Sequence, residues 1–366
     1  MWWSLALVLL AAAPRLWGAD PLEAVFKEAV QALGKGDLEA AERGFQRVLT
    51  ARPSHLGALG NLGVVYYRRD RVADAIGVYR RALKLAPNEP GLLLNLGLAH
   101  LKLEDYVAAK PLFAKLPPTP QTTELLATCR LFTGEVDRAL ASLEKLPRTT
   151  GVLYLLGAGY LKMKNRARAQ SAFQELLRTA ARPAQAHYLL GKAYYQATLF
   201  DEADAAFRKA LDLEPALPGL RLELGKTLIS RRDHPGAEAE LRAALTENPH
   251  DTGAAYYLGA LLVLESRVEE AIPLLERARA ARPEGWGAYY YLGRARLHTG
   301  QPASAIPLLE KAVHLNPNES SIYYQLARAY QAAGQAADAK RAQARFSKLR
   351  RGAAEKAQDA VVGRQP

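Results

Sequence analysis

The sequence predicts an all-α solenoid built from about ten pairs of antiparallel helices. Three recurring positions carry this prediction: an alanine repeats every 34 residues with two shorter steps of 30, a small residue stands twelve positions before it, and a proline often stands twelve positions after it. Self-similarity at a period of this size is typical of repeat architectures. The alanines are Ala41, Ala75, Ala109, Ala139, Ala169, Ala203, Ala237, Ala271, Ala305 and Ala339.

The small residue marks the first helix of each unit. Leucine precedes it in nine of the ten units. A small side chain lets the second helix approach closely, and the leucine fills the space beside it at helical spacing. The small residues are Ala29, Gly63, Gly97, Ala127, Gly157, Gly191, Gly225, Gly259, Gly293 and Ala327.

The recurring alanine marks the second helix, where a bulky residue such as Phe45 or Tyr79 follows four positions later. Proline ends this helix because it lacks an N–H donor and clashes with the preceding turn. In one unit the proline is displaced by two positions, to Pro183. The others are Pro53, Pro87, Pro215, Pro249, Pro283 and Pro317.

These columns resemble the tetratricopeptide repeat family, and the resemblance covers about residues 22–350. It implies a right-handed superhelix whose first helices line a concave groove that binds peptides or protein segments. The RNA-reading helical repeats with a longer, 35-residue period are the rival family. The 34-residue step and the glycine, alanine and proline columns favour tetratricopeptide repeats.

Three segments follow from this register. Residues 20–350 are expected to form the solenoid, with an irregular joint near 116–124, because the third and fourth units are each four residues short. Four residues are about one helical turn, so the second helices there should shorten while their buried faces stay in phase. Residues 351–366 are expected to be a basic disordered tail; solvation of this tail is favoured over binding to an anionic partner.

Residues 1–19 differ from the rest of the chain. The apolar run at 2–13 is shorter than the roughly 20 residues that a spanning helix requires. It predicts a secretory signal peptide cut after Gly18 or Ala19, and therefore a protein exported to the periplasm of a bacterial envelope or to the outside. An uncleaved anchor and a misassigned start codon are the alternatives. No second long apolar run follows, so no integral membrane span is expected in the mature chain.

The sequence offers no catalytic constellation. It contains no Gly-x-Ser-x-Gly, no phosphate-binding glycine-rich loop and no His-Glu-x-x-His, and its seven histidines lack the spacing of metal ligands. The single cysteine, Cys129, excludes an intramolecular disulfide and is expected to pack as a small apolar residue. We therefore expect no enzymatic activity, no metal and no cofactor.

The resemblance implies that the residue three places before each small residue faces the groove. Five tyrosines share this column, and four basic residues stand one place after the small residue. The predicted binding residues are Tyr154, Tyr188, Lys192, Lys226, Tyr256, Tyr290, Arg294, Tyr324 and Arg328. Alternatively, tyrosine is simply common at this position of such repeats.

These features predict a scaffold of the cell envelope that binds protein or peptide segments, acidic ones in particular. The basic residues Lys192, Lys226, Arg294 and Arg328 beside the tyrosines suit an acidic or carboxylate-bearing segment. The alternative is an accessory subunit of a polysaccharide or cell-wall assembly or secretion machine, in which the tyrosines stack on sugars. No nucleic-acid partner is expected for an exported protein.

Overall fold

The structure is a computed structural model that describes residues 21–362, and within that range it contains twenty α-helices and no strand. Odd-numbered helices are the first helices of ten consecutive pairs and even-numbered helices are the second. The prediction of an all-α tetratricopeptide-like solenoid is confirmed. The helices are α1 Pro21–Lys35, α2 Leu38–Ala51, α3 Leu56–Arg68, α4 Val72–Leu85, α5 Pro90–Lys102, α6 Tyr106–Phe113, α7 Pro120–Phe132, α8 Val136–Leu143, α9 Thr150–Lys162, α10 Arg166–Thr179, α11 Pro183–Gln196, α12 Phe200–Leu213, α13 Leu220–Ser230, α14 His234–Glu247, α15 Thr252–Leu264, α16 Val268–Ala281, α17 Trp286–His298, α18 Pro302–Leu315, α19 Ser320–Ala332 and α20 Ala336–Val362.

The chain divides into two compact units, unit 1 at Met1–Ala181 and unit 2 at Arg182–Pro366. The segment 116–124, for which the sequence predicted an irregular joint, lies inside unit 1, where α6 packs against α7. The short second helices α6 and α8 have eight residues each, whereas α4 has 14. Phe113 and Leu143 are nonetheless fully buried, so the shortening leaves the apolar faces in phase.

The small residues of the first helices are explained by their partners on the second helices. A Cβ added to Gly157 would lie 2.1 Å from the ring of Phe173, and one added to Gly63 would lie 2.3 Å from the ring of Tyr79. Each glycine therefore creates the space that an aromatic ring of its own pair occupies. Glycine and the bulky residue sixteen positions later form one packing unit.

Within each unit, most first helices pack against the next first helix, as α13 packs against α15 and α15 against α17, and the exception is the pair α5 and α7. Among the described residues, no Cα atoms of successive second helices come within 8 Å of each other. The more closely spaced helices lie on the inner side of a curved stack, so the first helices of each unit form its concave side. Ion pairs bridge the wider side instead, for example between Arg242 and Glu270 at 2.8 Å and between Arg267 and Glu238 at 2.8 Å.

The carboxy-terminal helix corrects one prediction. Helix α20 continues to Val362, so residues 351–362 are helical and not a disordered tail. Alanine, glutamate and lysine favour helix there, and no proline lies between Ala336 and Val362. Residues 363–366 and the predicted signal peptide at 1–19 lie outside the described residues. Between residues 21 and 362, no helix combines the length and apolar composition needed to cross a membrane.

Because of the ion pairs between second helices, the stability of unit 2 is expected to depend on pH. Hydrogen bonds from Arg267, and next from Arg242, lower the pKa of Glu270 to about 2. A carboxylate whose pKa is depressed by folding stabilises the folded state at neutral pH, and this contribution is lost as the pH falls towards 2. We expect Glu270→Gln to lower the Tm of the full chain at pH 6 and to leave it unchanged at pH 2, measured by circular dichroism. Glu284→Gln, in the exposed loop after α16, is the control, and an equal loss at both pH values would contradict the ion-pair assignment.

Candidate functional site

The predicted tyrosine column lies where the first helices of neighbouring repeats contact each other. A Cβ on Gly287 of α17 would meet the Tyr256 hydroxyl of α15 at 2.4 Å, and a Cβ on Gly253 would meet Leu222 at 2.9 Å. The residue that one repeat contributes to this column thus packs over the first turn of the first helix of the next repeat. Most of these side chains fill a seam between helices and do not face open solvent.

Burial follows from this placement. Tyr188 and Tyr290 are both only 8% exposed, and Tyr256 is partly buried. Tyr154, which belongs to unit 1, is also partly buried. Tyr324 is 43% exposed, and among the described residues no further first helix packs against α19 beyond it. The prediction that these tyrosines form an open contact surface is therefore wrong for Tyr188 and Tyr290, since packing between repeats takes up their rings.

The four predicted basic residues lie on the first helices of unit 2, each above an aromatic ring. The Nζ of Lys192 stands 5.7 Å from the ring centre of Tyr188, and the guanidinium of Arg328 stands 6.0 Å from that of Tyr324. Such cation–π contacts hold a cation over a ring without neutralising its charge. The four basic residues are partly or fully exposed.

Three tyrosines that the sequence reasoning missed complete this face: Tyr195, Tyr257 and Tyr291. Lys226 Nζ lies 5.3 Å from the ring centre of Tyr195 and 5.7 Å from that of Tyr257, and Arg294 lies 5.7 Å from the ring centre of Tyr291. A helix turns by about 100° per residue. Tyr257 and Tyr291 therefore point in a different direction from Tyr256 and Tyr290, which precede them in the sequence.

We call this surface of unit 2 the basic-aromatic face, and it consists of Lys192, Tyr195, Lys226, Tyr257, Tyr291, Arg294 and Arg328. Glu223 pairs with Lys226 at 2.8 Å. Burial acts to lower the pKa of Lys226, but the Glu223 carboxylate outweighs it and the pKa is raised. Lys226 is therefore a cation at neutral pH.

A cavity of about 240 Å³ opens beside this face, between the first turns of α15 and α17 and the end of α16. Its walls include Tyr256, Tyr257 and Trp286, with Thr252 and Arg282 at its border. Nothing in the repeat columns predicted it, because three helices contribute its walls. Trp286 was the available signal, since residues 21–366 contain no other tryptophan.

Two other chemistries, a metal site and a reactive thiol, find no supporting group among the residues that the structure describes. Between residues 21 and 362, no group of three or more histidine, cysteine or acidic side chains could hold a metal ion. Cys129 is fully buried, and burial raises the pKa of its thiol to about 12. A thiol in this state is protonated at neutral pH and packs as an apolar group.

Comparison with curated proteins gives short matches. The chain is 24% identical over 145 residues to anaphase-promoting complex subunit 3 of Schizosaccharomyces pombe, a match that covers 37% of this chain and 22% of that protein. It is 32% identical over 74 residues to the BBSome complex member BBS4 of Mus musculus, covering 20% and 14% respectively. The matches thus span less than a quarter of the length of either relative.

Solved structures with a similar fold include MamA of Desulfovibrio magneticus RS-1, at 24% identity and a TM-score of 0.42 over 46% of this chain and 96% of that one. The type IV pilus biogenesis factor PilW matches at 20% identity with a TM-score of 0.48, over 54% and 92% of the two chains.

The family comparison agrees with the repeat columns and the helix pairs. A profile described as tetratricopeptide repeat matches residues 26–90, 154–218, 222–278 and 265–320, which together exceed half of the chain. A second profile of the same description matches residues 296–345. With the 34-residue columns, the stacked helix pairs and these matches in agreement, the chain belongs to the tetratricopeptide repeat family.

Proposed function

We propose that this protein is a binding scaffold, and that the basic-aromatic face of unit 2 holds an extended acidic segment of another protein. The observation that carries the proposal is the row of cations on four of the five first helices of unit 2, each standing over a tyrosine ring. Tyrosine offers apolar contact area together with a hydroxyl, at a low cost in side-chain entropy. Exposed cations complement carboxylates and steer an acidic partner towards the face.

The spacing of the first helices sets the expected pattern of charges. Packed helices lie roughly 8–10 Å apart, and an extended chain advances roughly 3.3 Å per residue. A carboxylate at every third residue of the partner therefore advances by about one first helix, and it meets a cation on each of them except α15, where Ala260 takes that place. Lys192, Lys226, Arg294 and Arg328 mark four of the five first helices of unit 2.

We also place this function in the cell envelope of a bacterium. The support is the apolar run at 2–13, which has the length of the apolar core of a signal peptide and precedes the first repeat. Amino-terminal sequencing of the protein from fractionated cells tests this location. Recovery of a chain that still begins at Met1 in the cytoplasmic fraction would overturn it.

The binding proposal is tested with a fluorescein-labelled twelve-residue peptide that has glutamate at every third position and serine and glycine between. We expect it to bind the full chain in an anisotropy titration, and to bind more weakly as salt rises, since exposed charges are screened beyond about 10 Å at 0.1 M. Lys226→Ala combined with Arg294→Ala should weaken binding about tenfold, because two exposed ion pairs at up to about 1 kcal/mol each are lost.

The matched control removes two cations from the second helices, with Lys209→Ala and Lys311→Ala, both exposed. It changes the net charge by the same amount and should leave the affinity nearly unchanged. Equal weakening by both double variants would show a non-specific charge effect. Equal binding of a peptide with lysine in place of glutamate would contradict the acidic partner.

A further inference from the structure

We infer that the cavity beside the basic-aromatic face receives one bulky apolar side chain of the acidic segment, an aromatic one above all. This inference rests on the proposed function and adds the feature that distinguishes one acidic segment from another. Cations alone bind any polymer of carboxylates, whereas a cavity of fixed shape selects the residue that fills it.

The cavity is continuous with the row of cations. Tyr257 lines the cavity, and Lys226 Nζ also lies over its ring, 5.7 Å from the ring centre. Trp286 lines the opposite part of the cavity and contacts Tyr290 edge-on, with ring centres 6.1 Å apart. The guanidinium of Arg294 lies 5.7 Å from the ring centre of Tyr290. The cavity therefore lies between two cations, where a segment that pairs with both passes over it.

Its size fits a side chain and not a whole small molecule. The volume is about 240 Å³. Pockets that enclose a drug-sized ligand span roughly 300–1,000 Å³. A cavity below that range, with aromatic walls, suits one phenylalanine, tyrosine or leucine side chain.

The lining also favours a peptide over a sugar. Its polar side chains are the hydroxyls of Thr252, Tyr256 and Tyr257 and the guanidinium of Arg282, and no carboxylate or amide side chain is among the described lining residues. Carboxylate and amide groups are the strong acceptors that would hold a set of sugar hydroxyls. Arg282, which is exposed, instead suits a carboxylate next to the inserted side chain.

The walls are held in place before any ligand arrives. The Tyr256 hydroxyl lies where a Cβ of residue 287 would stand, 2.4 Å from that position, so Gly287 fixes the approach of this ring to α17. Edge contacts to Tyr257 at 5.0 Å and to Tyr291 at 6.0 Å hold the same ring from two sides. A preformed cavity loses little entropy when it is filled.

The test compares two versions of the glutamate peptide that differ at one central position, phenylalanine or alanine. Burial of one large apolar side chain is worth at least tenfold in affinity. We expect the phenylalanine peptide to bind the full chain about tenfold more tightly than the alanine peptide. Trp286→Ala should remove this difference while the alanine peptide keeps its affinity, and Thr252→Phe, which places a ring at the cavity border, should do the same. Leu213→Ala, at an exposed site on α12, should preserve the difference.

A second readout observes the cavity directly. In the variant Trp2→Phe, Trp3→Phe and Trp17→Phe, Trp286 is the only tryptophan of the full chain. The phenylalanine peptide should shift its fluorescence to shorter wavelength, because the ring leaves water, and the alanine peptide should shift it much less. Since this readout needs no substitution in the cavity, it holds even where Trp286→Ala impairs folding.

The outcomes separate the two proposals. Equal, salt-sensitive binding of both peptides would overturn the cavity assignment and leave the acidic face standing. Binding of neither peptide would overturn both. A blue shift with a β-1,4-linked N-acetylglucosamine hexamer, without one for the phenylalanine peptide, would assign the cavity to a carbohydrate and contradict the inference.

Discussion

Phe207→Ala is expected to lower the free energy of unfolding of unit 2 by about 3–5 kcal/mol, the usual cost of truncating a fully buried aromatic side chain. The Phe207 ring has no exposed surface and lies where a Cβ of residue 191 would stand, 2.6 Å away. It also meets Tyr188 at 5.9 Å. Removing the ring thus opens a cavity between α11 and α12 that the neighbouring helices cannot fill. Urea titration of the full chain, followed by circular dichroism, measures the loss.

Leu213→Ala is the matched control, because it removes an apolar side chain from the same helix. Leu213 is 47% exposed. A substitution at such a site usually changes stability by less than about 0.5 kcal/mol. A similar cost at both positions would mean that the buried face of α12 has been assigned to the wrong residues.

Gly157→Ala is expected to destabilise unit 1 by about 1–3 kcal/mol, although alanine is the better helix former. The added Cβ would stand 2.1 Å from the ring of Phe173, and 2.5 and 2.6 Å from two further ring atoms. Phe173 is 2% exposed, so it has no space into which to move. Either α9 and α10 separate or the ring leaves its rotamer. Thermal unfolding of the variant measures the cost.

Gly77→Ala supplies a control of opposite sign. Gly77 is exposed within α4, and a Cβ there would meet nothing within 4 Å. Alanine at such a position should stabilise the protein by about 0.5–1 kcal/mol, since it restricts the unfolded chain. The same glycine-to-alanine change is therefore expected to destabilise at one site and stabilise at the other. Two effects of the same sign would contradict the packing of rings onto the small-residue column.

The positions of the helices could be predicted from sequence because each column records a local steric requirement. Glycine or alanine faces a ring of its own pair, and proline ends the second helix, so that short-range spacing suffices. The division after Ala181 could not be predicted in this way. Pro183, displaced by two from its column, was the only irregularity there, and it begins α11 where its counterparts follow a second helix.

The residues of the basic-aromatic face were identified in part from the sequence, and their role in binding stays a prediction. The basic column at Lys192, Lys226, Arg294 and Arg328 depended only on helical phase, and the structure places all four beside tyrosines. At two positions the tyrosine column was placed one residue too early: Tyr256 fills the contact with the next repeat and Tyr290 is buried, whereas Tyr257 and Tyr291 lie beside the cations. Such a contact joins residues more than thirty positions apart, as Tyr256 meets Gly287.

The recurrence of cations on four of the five first helices of unit 2 has a consequence for how an acidic partner would align on this protein. An acidic segment displaced by one repeat still meets cations of the same kind. Several alignments are then close in energy, and their number adds a statistical contribution to affinity while leaving the position undetermined. The cavity at Trp286 is lined by the one tryptophan of unit 2, and we expect it to favour one alignment over the others. The recurring cations are thus expected to contribute affinity, and the cavity is expected to fix the position of the bound segment.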